Sequence, residues 1–100
     1  MRESDIENYL VERVKALGGE VRKVKWIGRT GAPDRLVMLP GGGVRGLSQE
    51  TRKPATIWVE LKAPGEKAKP HQAREHERMR RMGQRVEVVD SFEQVDEVLG

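Results

Sequence analysis

Ile57-Trp58-Val59-Glu60-Leu61-Lys62 is the stretch whose reading decides the fold. It is a short apolar run carrying a glutamate and a lysine one residue apart. In a strand, alternate side chains point to opposite faces. Ile57, Val59 and Leu61 then share one face, and Trp58, Glu60 and Lys62 share the other. Burying a carboxylate and an ammonium on a core strand is unfavourable unless the charges are paired or used. The Trp58-Glu60-Lys62 face is therefore where function is expected, and the Ile57-Val59-Leu61 face where the core is expected.

The segments on either side of this strand are loops. Residues 41–55 are polar, charged and headed by Gly41-Gly42-Gly43, and they read as a flexible connection. Ala63-Pro64-Gly65 breaks the strand, and Glu66 to Lys69 form a charged loop. Pro70 suits the first turn of a helix that runs from about His71 to Met82 and stops at Gly83. Its expected inner face is Ala73, His76, Met79 and Met82, with Gln72 at its entrance. Arg85 to Val89 reads as a strand with Val86 and Val88 on one face. Ser91 caps a last helix with inward Phe92, Val95, Val98 and Leu99.

Upstream, Leu36 to Leu39 is a strand, preceded by the turn Gly28-Arg29-Thr30-Gly31-Ala32-Pro33 and then Asp34-Arg35. Glu20 to Trp26 reads as a charged strand of imperfect alternation, which suits a sheet edge. Ser4 and Glu7 have the spacing of a capping box. Ile6, Leu10, Val14 and Leu17 follow at helical spacing, and Gly18-Gly19 ends that helix. The order is helix, three strands, helix, strand, helix. The first three strands make a meander. The third and fourth, joined through a helix, are expected to be parallel with a right-handed crossover. This is an α/β arrangement with a mixed four-stranded sheet flanked by helices, in one domain spanning 1–100.

Composition narrows the function. Of 100 residues, 36% are hydrophobic and 35% charged, so the core is modest. With no cysteine, disulfides and thiolate metal sites are excluded. The formal net charge of +3 favours a polyanionic partner. No apolar run is long enough to span a membrane, and no signal-peptide core follows the charged N-terminus. The expectation is a soluble cytoplasmic protein without a membrane partner.

If the second and third strands pair, Asp34 comes beside Glu60. Two carboxylates held that close repel unless a cation lies between them. Oxygen ligands of this kind suit Mg²⁺ or Mn²⁺, which also bind substrate phosphates. Lys62, one pleat along, can neutralise charge that develops during reaction. The ensemble is that of metal-assisted phosphodiester hydrolysis. Blander readings exist for each residue. Asp34 can be a turn aspartate, Glu60 and Lys62 an exposed pair, and Gln72 a polar residue of a first helical turn. His71 and His76 do not share a helix face well, and read as a surface residue and a packed one.

Pro33-Asp34 followed by Glu60-Leu61-Lys62 resembles the PD…(D/E)xK arrangement of restriction-endonuclease-like nucleases. Gly31-Ala32-Pro33-Asp34-Arg35, Val59-Glu60-Leu61-Lys62-Ala63-Pro64, and Gln72 followed by Met79 are similar to the VRR-NUC family over roughly residues 4 to 90. The resemblance implies the restriction-endonuclease-like αβββαβα fold and a Mg²⁺- or Mn²⁺-dependent endonuclease acting on DNA. It implies Asp34 and Glu60 as metal ligands with the Leu61 carbonyl, Lys62 as catalytic lysine, Gln72 near the active site, and Glu7 as a further acidic ligand or only a helix cap. Small stand-alone members resemble Holliday-junction resolvases, which implies branched DNA and a homodimer. A flap or single-strand nuclease, a nickase of a phage replication module, and a non-catalytic DNA-binding module are the alternatives. Lys67, Lys69, Arg74, Arg78 and Arg81 are the expected phosphate contacts, with Arg22, Lys23 and Lys25 as a second group. The 41–55 loop departs from the family pattern.

Overall fold

The stretch around Glu60 forms the strand β3 (Ala55–Leu61), placed inside a four-stranded sheet. A computed structural model describes residues 1–42 and 53–100. The other elements are α1 (Glu3–Ala16), β1 (Glu20–Lys23), β2 (Arg35–Leu39), α2 (Pro70–Arg81), β4 (Val86–Val89) and α3 (Phe92–Leu99). The order αβββαβα is the expected one. The sheet runs β1-β2-β3-β4, so β1 is an edge as its mixed pattern suggested. β1 to β3 are antiparallel neighbours, and β3 pairs with β4 in parallel across the α2 connection.

The two faces of β3 separate as its alternation demands. Ile57, Val59 and Leu61 enter an apolar cluster with Ile6, Leu10 and Val14 of α1, Val37 and Leu39 of β2, Val89, and Val95 and Leu99 of α3. The opposite face looks toward α2, where Gln72 and His76 reach Lys62 and Glu60. Burial of branched apolar side chains on the first face is the main stabilising term. Among the described residues, no helix is long and apolar enough to cross a membrane.

Several local expectations are corrected. α1 is not capped by Ser4 and Glu7. Its cap lies two residues earlier, at Arg2, and the Asp5 carboxylate accepts from the Arg2 backbone N–H at 2.7 Å. Asp5 competes for the same end of the helix, and Glu7 is drawn instead to Arg35. β1 ends at Lys23 rather than Trp26. Val24 N–H still donates to the Asp34 carbonyl, and the Trp26 indole then turns inward to donate to the Pro33 carbonyl at 2.8 Å. The inner face of α2 is Glu75, His76 and Met79, with Gln72 half-buried beside them, whereas Ala73 and Met82 are exposed. Positions 72, 75, 76 and 79 follow the helical period, while a strict spacing of three drifts around the helix. Of the loop expected over 41–55, residues 43–52 lie outside the described residues, and Ala55 already belongs to β3.

The C-terminus of α1 and the start of α3 behave as their sequences suggest. Gly18, with φ +83°, takes the left-handed conformation that follows α1. Ser91 accepts from the Gln94 backbone N–H at 3.1 Å and starts α3.

Candidate active site

Register places the carboxylates. In the β2–β3 ladder Arg35 is opposite Val59, and one step further along come Asp34 and Glu60. Asp34 leaves the 28–33 turn just as β2 begins, so its side chain lies largely in solvent, 60% exposed. Glu60 is enclosed, 13% exposed. Burial pushes the Glu60 carboxyl up from 4.5 to about 7, opposed by the nearby Lys62 cation and reinforced by the negative charges of Asp34 and Glu3. Asp34 and Glu60 therefore sit in one another's field.

Lys62 is 7% exposed, and its Nζ donates to Gln72 Oε1 at 2.8 Å. The same oxygen accepts from the Lys69 backbone N–H at 2.8 Å, so Gln72 closes the first turn of α2 while holding the lysine. Continuing the ladder, Lys62 N–H donates to the Val89 carbonyl at 2.9 Å, which fixes the backbone between Glu60 and the helix. Leu61 lies between the two charged residues with its side chain in the core.

Glu7 joins the group through Arg35. The guanidinium lies 2.6 Å from Glu7 Oε2 and 3.0 Å from Asp34 Oδ1, and so bridges the two carboxylates. Of the expected phosphate contacts, Lys67, Lys69, Arg74 and Arg81 are exposed along the loop before α2 and on the helix itself. Arg78 is exposed but paired with Glu75 at 2.8 Å. On the other side of Asp34, a groove of about 560 Å³ is lined by Lys23, Lys25, Trp26, Arg29, Asp34 and Arg35.

Four residues of the neighbourhood were not read from the sequence as site residues. Arg35 was visible only as the residue after Asp34. Glu3 lies one helical turn before Glu7 and acts on Glu60 through its charge. Glu75 is 3% exposed and pairs with Arg29 of the 28–33 turn at 3.2 Å. His76, read as a packed residue, is 1% exposed, with Nε2 3.5 Å from Glu60 Oε1. Burial pushes its imidazole below the ordinary value, and the Arg80 and Lys62 cations act in the same direction.

The donor set discriminates among metals. Among the described residues, no cluster of three or more His, Cys, Asp or Glu side chains forms a cage. Asp34 and Glu60 with a backbone carbonyl are hard oxygen donors, incomplete by themselves. Mg²⁺ and Mn²⁺ accept such a set, because they keep several waters and take further oxygens from phosphate. The residues thus fit a hard divalent cation.

Comparison with known proteins bears on the family and the fold. The chain is 45% identical over 91 residues to a protein named as a candidate nuclease, p44, of Acyrthosiphon pisum secondary endosymbiont phage 1, a match covering 91% of this chain and 85% of that relative. A solved structure described as a VRR-NUC domain superposes with a TM-score of 0.75 at 46% identity, covering 97% of this chain and 92% of that one. No family model matches.

Proposed function

The chain belongs to the VRR-NUC family of nucleases, and from that premise we propose that it is a Mg²⁺- or Mn²⁺-dependent endonuclease that hydrolyses DNA phosphodiester bonds, with branched DNA as its substrate. The observation that carries this reading is the grouping on one sheet face. Glu60 is buried beside Asp34, and Lys62 is held by Gln72 one pleat away. Asp34, Glu60 and the Leu61 carbonyl would hold the cation, with Glu7 contributing through Arg35. A bound divalent ion supplies positive charge to the scissile phosphate and lowers the pKa of a water.

The chain's own residues do the rest. Lys62 presents an ammonium to the negative charge that builds on the phosphorane oxygens, and Gln72 limits where that ammonium points. Arg35 keeps Glu7 and Asp34 from repelling one another. Lys67, Lys69, Arg74 and Arg81 on one side, and Lys23, Lys25 and Arg29 on the other, form two basic borders for phosphates. Affinity then falls steeply with salt. A two-fold dimer would offer two such sites to one junction, which suits paired incisions.

The test is a cleavage panel of four-way junction, flap, linear duplex and single strand, run with Mg²⁺, with Mn²⁺ and with chelator. Cleavage is expected only with metal and first on the junction, and Glu60→Ala is expected to lower it on the order of 10²–10³-fold. Preference for flap or single strand would replace the junction reading. Equal cleavage by wild type and Glu60→Ala would remove the site assignment. Tight DNA binding without cleavage of any substrate would make the chain a binding module. The mass in solution checks the dimer.

A further inference from the structure

His76 is buried, polar and unused by the chemistry above. Its Nε2 is the buried side-chain atom that finds no hydrogen-bond partner among the described residues. Leaving such an atom unpaired is unfavourable, so native proteins keep one only where something else satisfies it. The contact with Glu60 Oε1, at 3.5 Å, is too long for an ordinary hydrogen bond. The imidazole also hydrogen-bonds the Gly31 backbone. A ring nitrogen bonded to a carbonyl carries the proton, which leaves Nε2 with its lone pair outward. Nε2 and the ionised Glu60 carboxylate are then two acceptors facing one another 3.5 Å apart.

We propose that His76 is a positioning residue of the metal site: one ring nitrogen bonds Gly31 while Nε2 packs 3.5 Å from Glu60 Oε1, so that the imidazole holds Glu60 and the turn carrying Asp34 in one arrangement. This rests on the metal-dependent reading above. Three contacts already seat that turn on α2. Arg29 pairs with buried Glu75 at 3.2 Å. Gly31 packs so tightly on the helix that a Cβ there would lie 2.9 Å from the His71 carbonyl oxygen. The third contact is the Gly31–His76 hydrogen bond, and it alone continues to Glu60. The sequence positions 34 and 60 belong to different segments, and His76 ties them together from the helix. Mg²⁺ demands near-ideal octahedral geometry, so a small rotation of one carboxylate matters. Partners that orient a ligand in this way typically change metal affinity by about 10–100-fold.

The experiment measures Mn²⁺ binding to the intact chain by electron paramagnetic resonance of the free ion, for wild type, His76→Phe, His76→Asn and His76→Gln. Metal-free unfolding of each is followed in parallel. Asn can keep the Gly31 contact but does not reach toward Glu60, whereas the Gln amide oxygen reaches the place of Nε2. Phe and Asn are expected to weaken binding by about 10–100-fold, and Gln to recover most of that loss, while Asn and Gln unfold alike without metal. In the wild type, the ¹⁵N resonance of His76 Nε2 is expected to move on adding Mg²⁺, and that of exposed His71 to stay. Equal Mn²⁺ affinity in all four proteins, equal weakening by Asn and Gln, or a His76 resonance indifferent to Mg²⁺ would each overturn the role of His76. A wild type that binds no Mn²⁺ would overturn the metal reading and this inference together.

Discussion

The two faces of the sheet solve different problems with the same strand. Toward α1 and α3, Ile57, Val59 and Leu61 enter an apolar cluster, and the packing there needs no charge. Toward α2, Glu60, Lys62, Glu75 and His76 are all largely removed from solvent. Burial of that kind is unfavourable for each group separately. The contrast teaches where stability and chemistry reside. One face holds the chain folded, and the other uses part of that stability to keep polar groups dry and aimed.

The largest expected effect breaks the first face. Ile57 is fully buried, so Ile57→Ala removes methyl groups from a core that closes only partly. The loss is expected to be about 2–5 kcal/mol by denaturant unfolding, with cleavage per folded molecule close to wild type. Glu60→Gln, three residues along and on the other face, is expected to do the reverse, abolishing cleavage without loss of neutral-pH stability. If Ile57→Ala lowered the rate of the folded enzyme as much as Glu60→Gln does, the division between faces would fail.

The second effect sharpens the polar face through pH. Burial holds the folded Glu60 carboxyl at about 7, above its ordinary 4.5, so the folded chain binds this proton more tightly than the unfolded one. Its contribution to stability is fully present below about pH 4.5 and is lost as pH rises through about 7. The full difference is on the order of 3 kcal/mol. In chelator, wild type is expected to lose stability relative to Glu60→Gln between pH 5 and pH 8. Parallel curves for the two proteins would show that Glu60 is not desolvated.

The apolar face was the more legible of the two. Alternation in β3 and the spacing of Ile6, Leu10 and Val14 are signals of period, and period survives without knowledge of partners. The juxtaposition of Asp34 and Glu60 was also legible, since it follows from pairing two adjacent strands. The facing of α2 was not. Hydropathy puts Ala73 and Met82 inside and Glu75 outside, but Arg29 supplies Glu75 with a partner from a turn far away in sequence. Glu7 looked like a helix cap because Ser4 precedes it at the right spacing, and only the fold brings Arg35 to it. Polar groups are read correctly only when their partners are known, and partners are set by tertiary structure.

A third effect lies where the faces are joined to the site. Gly31 has φ +83°, and a Cβ there would stand 2.9 Å from the His71 carbonyl oxygen and 3.3 Å from Gln72 Cα. Gly31→Ala is expected to lower stability by about 1–3 kcal/mol, through strain and loss of close packing. The turn also carries Asp34, so cleavage per folded molecule is expected to fall as well, unlike in Ile57→Ala. Stability lost with full activity kept would mean that Asp34 is placed by β2 alone.

The smallest expected effect is on charges belonging to neither interior. Arg13 meets Asp96 at 3.1 Å between α1 and α3, with side chains 43% and 47% exposed. Tyr9 also donates to Asp96 at 2.8 Å and stacks on Phe92 at a ring separation of 4.4 Å, so the helices stay joined without the arginine. Water screens such a pair, and Arg13→Ala is expected to lower stability by only about 0.2–1 kcal/mol, with less effect as salt is raised and none on cleavage. A loss of several kcal/mol would place a stabilising electrostatic contact on the face where apolar packing alone is held to suffice. The same result at high and low salt would show that the contact is not screened, and the distinction between a dry polar face and a wet polar rim would have to be redrawn.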